Sequence, residues 1–391
     1  MEPRSSSLNP LNILMASGVP RRREGGVAAV IYNLGRELEE RGHRVSYVFL
    51  EDLIEPGSVS QRFSELIFSK RLARFVAAHR QEYSIVNLHA PVGFLYGLRR
   101  KWNRSAGYPP YVMSLHGLEE RRVYAMSREA EKGRVWHFFL RNRLWHRFYH
   151  QPRFRWSIRT ADAAHVMCRD VWNMLQLRYN LDADRVAYIP NGVEPRFFVQ
   201  REYVPSDSLK LLYVGTWLDQ RGVFYLRDAM HRLAQRVPGL TLTFAGGGVP
   251  GDEILRFFGE PLASRIIICP TTPADRMPGI YGAHDVFLFP SLMENLPLVV
   301  LEAMASGMPV ITTETCGMPD VVEHEFNGLL VPPADAQAIE DAVVRLAGSV
   351  DLRRKLGEAA RETMKRYTWE RAARQLEELY RRVLAAEAAR A

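Results

Sequence analysis

Short apolar runs alternate with amphipathic stretches along most of this chain. The runs of its first half are 11–16, 44–50, 84–90, 111–117 and 163–168. Between them, apolar positions return at the spacing of a helix, and a second series of runs extends from 209 to 331. Short runs that are apolar throughout are typical of strands covered on both faces of a parallel sheet. The pattern therefore predicts an α/β protein with two doubly wound domains.

The boundary between these domains is predicted at residues 194–208, which are polar and contain proline. Residues 1–193 would form the first domain and residues 209–370 the second. At 391 residues, with 25% charged and 47% hydrophobic residues, the chain is long enough for two cores.

The segment 285–313 predicts a strand, a loop, a helix and a second strand. Its apolar run 285–289 suits a buried strand. Pro297 occupies the place of a first helical residue, where its missing N–H costs no hydrogen bond. We expect the helix to run from about Pro297 to Ser306 and to end at Gly307.

Two glutamates and a helix start make this segment a candidate ligand site. Glu294 precedes the helix, and Glu302 is the only charge within it, where a carboxylate is costly without a hydrogen-bond partner. The amides at the helix start could bind an anion. They belong to Asn295, Leu296, Leu298 and Val299. The segment thus offers amides for phosphates and carboxylates for hydroxyl groups, as a sugar nucleotide requires, unless Glu302 only caps a neighbouring loop and Glu294 is solvated.

Glu294, seven residues and Glu302, followed by Ala-Met-Ala-Ser-Gly-Met-Pro-Val, resemble the Glu-x7-Glu signature of the family 4 retaining glycosyltransferases. These enzymes have the GT-B fold. The resemblance implies two Rossmann-like domains facing each other across a cleft, with a last helix, 371–391, that crosses back to the first domain. It also implies a catalytic Glu294 at the donor hexose and contacts from Glu302 to the ribose hydroxyls. The helix start at Asn295, Leu296, Pro297 and Leu298 would bind the donor as well.

The resemblance extends to the first domain. Gly25 and Gly26 lie between a predicted strand and helix, and by the resemblance they would approach the donor phosphates, although a plain tight turn would also explain them. His116 follows an apolar strand, at the edge where parallel sheets bind ligands. The resemblance places it at the reaction centre, against the alternative of a structural histidine, and His89 is a weaker candidate of the same kind.

The turn 215–222 departs from the family pattern. The family carries an arginine after the first glycine and a lysine before the second, both on the donor diphosphate. Here Thr216 and Arg221 take these places, so one cation is missing. Arg221 could still bind the diphosphate with two hydrogen bonds, which a lysine could not.

Two other motifs favour neither a cofactor nor a metal. Residues 246–251 read Gly-x-Gly-x-x-Gly, but they follow the second strand of their domain, contain Pro250 and lack an acid about 20 residues on, so a nicotinamide cofactor is not favoured. Asp182 and Asp184 imitate a metal-binding pair but lie in a loop, where aspartate commonly caps. We therefore expect a metal-independent protein without a cofactor, for which the nucleotide-sugar is a substrate.

Composition bounds the location. The cysteines are Cys168, Cys269 and Cys316, an odd and widely spaced set that suits a reducing compartment. No apolar run reaches the length of a membrane span, and residues 1–10 lack the apolar core of a signal peptide. The expectation is a cytoplasmic protein that is soluble or peripheral at the inner face of the membrane.

The net charge of +8 is concentrated in one segment, because residues 121–160 alone carry a balance of +9. Its arginines alternate with Trp136, Phe138, Phe139, Trp145, Phe148, Tyr149, Phe154 and Trp156, and Pro152 is expected to break any helix. This composition fits an interfacial contact with an anionic membrane, a nucleic-acid platform, or aromatic packing with solvated arginines. The membrane is favoured, because the segment follows the candidate active-site strand that ends at His116.

These features predict a hexosyltransferase that uses a nucleoside-diphosphate sugar, retains the anomeric configuration and acts on a sugar or lipid-linked acceptor in cell-surface glycan or glycolipid synthesis. One alternative is an epimerase or phosphorylase of the same fold, which incubation with donor alone would expose. Another is a non-catalytic protein that binds membranes or nucleic acid, with a decayed transferase site.

Overall fold

Two parallel sheets of six strands each organise the part of the chain that the structure describes. This computed structural model describes residues 9–22, 25–103, 106–117, 119–135, 140–205, 208–270 and 272–390, without the side chains of residues 61, 62, 140 and 141. Most residues of both sheets are buried, as strands covered on both faces require. The predicted α/β fold with two Rossmann-like domains is confirmed.

The strands follow the predicted runs closely. Those of the first sheet are β1 (Asn12–Ala16), β2 (Arg44–Val48), β3 (Ile85–His89), β4 (Tyr111–Leu115), β5 (Ala163–Val166) and β6 (Val186–Tyr188). Those of the second are β7 (Lys210–Val214), β8 (Thr241–Ala245), β9 (Ile266–Cys269), β10 (Val286–Phe289), β11 (Val310–Thr313) and β12 (Leu329–Val331).

The strand order fixes where each sheet can bind a ligand. The first sheet has the order β2-β1-β3-β4-β5-β6, which reverses direction between β1 and β3. The second has the order β12-β11-β10-β7-β8-β9, which reverses between β7 and β10. Loops that leave the carboxyl ends of two such strands part to opposite faces and leave a crevice there.

Helices connect the strands. In chain order they are α1 (Gly26–Glu40), α2 (Leu50–Leu53), α3 (Gln61–Ala78), α4 (Phe94–Trp102), α5 (Glu119–Glu131), α6 (Leu140–Trp145), α7 (Gln151–Thr160), α8 (Arg169–Tyr179), α9 (Val223–Arg236), α10 (Gly251–Phe258), α11 (Glu260–Ala263), α12 (Met277–Gly282), α13 (Leu298–Ala305), α14 (Met318–Val321), α15 (Ala336–Ala347), α16 (Val350–Met364) and α17 (Trp369–Ala388). Within the described ranges, no helix is both long and apolar enough to cross a bilayer.

Contacts divide the chain into two units. Unit 1 comprises residues 1–116, 145–190 and 369–391, and unit 2 comprises residues 117–144 and 191–368. The last helix, α17, thus groups with the first sheet. Residues 117–144 group with unit 2, which differs from the predicted boundary that places all of 119–160 in the first domain.

Charged and polar groups hold α17 within unit 1. The Arg41 guanidinium donates to the Glu377 carboxylate at 2.7 Å, and His43 lies 3.3 Å from the same carboxylate. One turn further along the helix, the side-chain amide of Asn87 of β3 donates to the Tyr380 hydroxyl at 2.5 Å. The buried side of the amphipathic helix α17 therefore includes polar side chains, and one of them contacts strand β3 of the sheet.

The expectation that Pro152 would break the helix is wrong. The chain stays helical from α6 through a π-helical turn at His146–His150 into α7. Pro152 lies in the first turn of α7. A proline is tolerated in a first turn, and the wider π turn before it absorbs the change in hydrogen bonding.

Candidate active site

The reversal point of the second sheet brings together two of the loops that the sequence singled out. The loop after β7 contains the turn 215–222, and the loop after β10 contains residues 290–297. Since β7 and β10 are paired neighbours, both loops leave the same edge of the sheet side by side.

A close backbone approach locks these two loops together. Gly222 has a φ of 74°, and a Cβ atom there would lie 1.9 Å from the Pro290 carbonyl oxygen. The Leu292 amide also donates to the Gln220 carbonyl at 2.9 Å. Only glycine fits this position, because it adopts a left-handed conformation and leaves room for the carbonyl.

Arg221 and Glu294 form an ion pair across the two loops. Their side chains meet at 2.7 Å and are only 18% and 16% exposed. The Arg221 guanidinium also lies 5.1 Å from the centre of the Phe289 ring. Burial raises the pKa of Glu294, and the adjacent Arg221 opposes that rise. The Arg221 Nε atom is buried without a hydrogen-bond partner among the described residues, so the cation keeps a donor in reserve.

Glu302 lies in α13 and accepts a hydrogen bond from the Tyr281 hydroxyl at 2.8 Å. Tyr281 is fully buried against Phe197 and Phe287. Burial raises the pKa of Glu302 to about 7, and the bond from Tyr281 counteracts part of that rise. A core residue is therefore a partner of this carboxyl group, which can exchange its proton near neutral pH.

The helix start begins one residue later than we expected. Pro297 is the N-cap of α13, with φ −72° and ψ 133°, and Leu298 is the first helical residue. The Val300 amide donates to the Pro297 carbonyl at 3.2 Å. The amides of Leu298 and Val299 have no acceptor within the helix, as at any helix start. In the preceding loop, Asn295 and Leu296 are buried. The Leu296 carbonyl accepts a hydrogen bond from the side-chain amide of Asn191 at 2.9 Å. This bond fixes the loop ahead of the helix.

Thr216 stands at the carboxyl end of β7 with an exposed side chain. The next residue, Trp217, donates its amide to the Gly247 carbonyl at 2.7 Å. The methyl group of Thr216 lies 3.6 Å from where a Cβ of Gly248 would be. The glycine loop after β8 therefore packs beside this turn.

In unit 1, Gly25 and Gly26 open α1 at the reversal point of the first sheet. Both have positive φ, 76° and 62°, and a Cβ atom at either would meet nothing within 4 Å. The positive φ angles explain why glycine occupies both positions, and the open space around them leaves room for a ligand at the helix start.

His116 belongs to a histidine cluster that the sequence did not reveal. Its Nε2 atom lies 2.5 Å from Nδ1 of His89, and the two rings stack at 4.8 Å. Burial lowers the pKa of His116 to about 3 and that of His165, on β5, to about 4. His116 is therefore neutral at physiological pH, and its catalytic role stays a prediction. In the sequence, His165 could be recognised as a polar residue within the apolar run that forms β5, the strand paired with β4.

Two models of known families match this chain. One, described as Glycosyltransferase Family 4, matches residues 24–197, and the other, Glycosyl transferases group 1, matches residues 208–349. The chain belongs to the family 4 glycosyltransferases of the GT-B fold. The two matches cover the strands β2 to β12 and include the site residues described above.

Individual relatives agree with this assignment. The D-inositol 3-phosphate glycosyltransferase of Corynebacterium urealyticum is 33% identical over 186 residues, which are 46% of this chain and 44% of that protein. The chain spans about half the length of several curated relatives that it matches.

Solved structures share the fold. Sucrose-phosphate synthase from Thermosynechococcus elongatus superposes with a TM-score of 0.79 at 23% identity, over 96% of this chain and all of that one. Anabaena Alr3699/HepE in complex with UDP and glucose superposes with a TM-score of 0.67 at 17% identity, over 94% and 98% of the two chains.

Among the described residues, the candidate site thus brings together the Arg221 cation, two carboxyl groups with raised pKa values and a helix start, all in unit 2. Tyr281, Asn191 and Gln220 support these groups and were not predicted. Among the described residues, no three His, Cys, Asp or Glu side chains gather as a metal site would require.

Proposed function

We propose that this protein transfers a hexosyl group from a nucleoside-diphosphate sugar to an acceptor hydroxyl, with retention of the anomeric configuration. The observation that carries the proposal is the Arg221–Glu294 pair at the reversal point of the second sheet, next to the start of α13. A cation and free amides suit a diphosphate, and carboxyl groups suit sugar hydroxyls. UDP in Alr3699/HepE, a protein of the same fold, supports a nucleotide donor.

In the proposed reaction, the bond between the sugar C1 and the diphosphate oxygen breaks and a bond from C1 to the acceptor oxygen forms on the same face. The departing phosphate takes the acceptor proton. Arg221 and the amides of Leu298 and Val299 would stabilise the charge that develops on the diphosphate. Glu294 would lie by the hexose and Glu302 by the ribose, and no metal or cofactor would take part.

The acceptor we propose is a sugar or lipid-linked molecule of cell-surface glycan or glycolipid synthesis, reached at the inner face of an anionic membrane. Among the relatives, the name of D-inositol 3-phosphate glycosyltransferase supports a polar acceptor, and that of sulfoquinovosyl transferase SQD2 of Arabidopsis thaliana supports the transfer of a sugar group.

Calorimetric titration with UDP, GDP and ADP tests the donor site directly. Arg221→Ala should lower the affinity for whichever nucleoside diphosphate binds by roughly 10- to 150-fold, since a hydrogen bond to a charged group contributes about 1.5–3 kcal/mol. The matched control is Arg256→Ala, which removes an exposed arginine of the same unit. Saturable binding that Arg221→Ala leaves unchanged would contradict the assignment.

A transfer assay tests the reaction. Nucleotide-sugars that bind should release nucleoside diphosphate in the presence of acceptor, chelators should not slow the release, and NMR of the product should show the anomeric configuration of the donor. Conversion of the donor without acceptor into an epimer or a sugar phosphate would favour the epimerase or phosphorylase alternative.

A further inference from the structure

Residues 132–161 contain no aspartate or glutamate. Residues 145–160 of this segment belong to unit 1 and are helical. The π turn at His146–His150 and α7 run without interruption. One side of this helical stretch is buried against the rest of the unit. The buried residues are His146, Arg153, Phe154, Ser157, Ile158 and Thr160.

The opposite side carries two rows of exposed residues at helical spacing. The first row holds Arg147, Arg155 and Arg159, and the second holds Phe148 and Trp156. Phe148 is 73% exposed and Trp156 is 42% exposed, which is unusual for side chains of this size. We call these five residues the arginine-aromatic face.

The three arginines of this face differ from Arg153, which lies on the same helical stretch. Within the described residues, no carboxylate lies at ion-pair distance from any of them. Arg153, by contrast, is buried, pairs with Glu65 at 3.0 Å and covers the Tyr149 ring. Arg153 therefore stabilises the fold, and the arginine-aromatic face keeps its charge for something outside the unit.

Two basic residues in the first half of the basic segment, Lys132 and Arg134, are paired within their own unit. In unit 2, Tyr225 donates to the Glu129 carboxylate at 2.5 Å, and Lys132 pairs with the same glutamate at 2.9 Å. Arg134 pairs with Asp228 at 3.0 Å. Trp136, Phe138, Phe139 and the side chain of Arg141 lie outside the described residues. The hypothesis for the segment 121–160 thus narrows to its second half.

We infer that the arginine-aromatic face docks unit 1 on an anionic lipid surface. Arginine binds lipid phosphates with its planar donors, while phenylalanine and tryptophan side chains insert at the level of the headgroups. An apolar row beside a cationic row is the arrangement of a helix that lies in an interface. This inference rests on the proposed membrane contact and is independent of the transfer chemistry.

The spacing of the aromatic residues disfavours a nucleic acid. Phe148 and Trp156 are eight residues apart, or about 12 Å along a helix, so they could not stack successive bases of one strand. The neighbouring Trp145 and Tyr149 stack on each other at 4.0 Å, and Phe63 packs edge-on against both. Their ring faces are thus occupied within the fold.

Sedimentation with vesicles tests the inference on the full chain. Vesicles of phosphatidylcholine with about one third phosphatidylglycerol should bind the protein at low salt, and pure phosphatidylcholine should bind it far less. Arg147→Glu, Arg155→Glu and Arg159→Glu together should lower the partition coefficient at least about 100-fold, since each basic residue contributes about 1 kcal/mol at an anionic surface.

A charge-matched control separates the face from net charge. Arg44, Arg374 and Arg382 are exposed arginines on β2 and α17 of the same unit. Replacing these three by glutamate also lowers the net charge from +8 to +2, since each substitution removes two charges. This control should keep most of the binding. Equal losses in the two triple variants would overturn the inference, because binding would then depend on overall charge alone.

Phe148→Ser with Trp156→Ser tests insertion at unchanged charge. This variant should bind the anionic vesicles less, and the binding that remains should be more sensitive to salt. Binding equal to that of the wild type would overturn the role of the aromatic row. The circular dichroism spectrum and melting temperature of each variant should stay normal, which shows that the fold is intact. Nucleotide binding should also stay normal, which keeps this test separate from that of the donor site. Tighter binding to single-stranded RNA than to anionic vesicles, or no binding to these vesicles at low salt, would also overturn the inference.

Discussion

Glu302→Gln is the substitution that most directly tests the electrostatics of the site. Glutamine keeps the shape of the side chain and an oxygen that can accept the hydrogen bond from Tyr281. Alanine would instead deprive a buried tyrosine of its acceptor, at a cost of about 1–3 kcal/mol that has nothing to do with charge.

The magnitude follows from the raised pKa of Glu302. Burial raises it from 4.5 to about 7, which corresponds to about 3.5 kcal/mol at 1.4 kcal/mol per unit of pKa. The folded protein thus holds this proton to a higher pH than the unfolded chain does. Its stability should therefore fall as the pH rises from about 4.5 through about 7, and level off above. Glu302→Gln has no such proton to lose.

The assay is the melting temperature of both proteins across this range. Between pH 5 and pH 8, Glu302→Gln should gain about 2 kcal/mol relative to the wild type, or roughly 4–8 °C for a domain of this size. Glu260→Gln, at an exposed position of α11, should show no such gain. If the difference in melting temperature between Glu302→Gln and the wild type stays constant with pH, the raised pKa of the buried carboxyl group is refuted. Unchanged donor affinity would refute only the predicted contact with the ribose.

Three further substitutions test other contacts. Glu294→Gln should lower kcat far more than donor affinity, since the carboxyl group is expected at the reacting hexose; equal losses in both would make it only a binding residue. Gly222→Ala should lower the melting temperature by roughly 5 °C or more, because left-handed backbone and a carbonyl contact both oppose a Cβ, whereas Gly282→Ala, at an open helical position, should be close to neutral. Tyr225→Phe should destabilise unit 2 by about 1–3 kcal/mol, since it removes a donor to a buried glutamate, and Tyr124→Phe, at an exposed position of α5, is its control.

The sheet edge that carries the site could be predicted, because it depends only on local signals. Apolar runs locate the strands, and in a parallel sheet every loop after a strand leaves from the same edge. Arg221 and Glu294 each follow such a run, so both were expected there. That they pair depends on β7 lying next to β10, which is a property of strand order and has no local signal.

Contacts between distant segments could not be predicted. An amphipathic helix shows that it buries one side, but not against which surface, so α5 could not be assigned to unit 2 from its pattern. The bond from Tyr281 to Glu302 and the cluster of His89, His116 and His165 join side chains that lie 21 to 76 residues apart. Such polar contacts depend on the final packing, which small differences in geometry decide.

The ion pair of Arg221 and Glu294 has a consequence for donor binding that can be measured. Arg221 opposes the rise that burial causes in the pKa of Glu294. A diphosphate that recruits the guanidinium, as we propose, would leave the buried carboxylate with less stabilisation, and its pKa should rise further. Binding of nucleoside diphosphate should therefore draw a proton onto Glu294. Calorimetry in two buffers of different ionisation enthalpy measures that uptake at constant pH. The measurement is made in Glu302→Gln, which removes the other carboxyl group with a raised pKa. There, adding Glu294→Gln should abolish the uptake, and uptake that survives both substitutions would show that the diphosphate does not draw a proton onto Glu294.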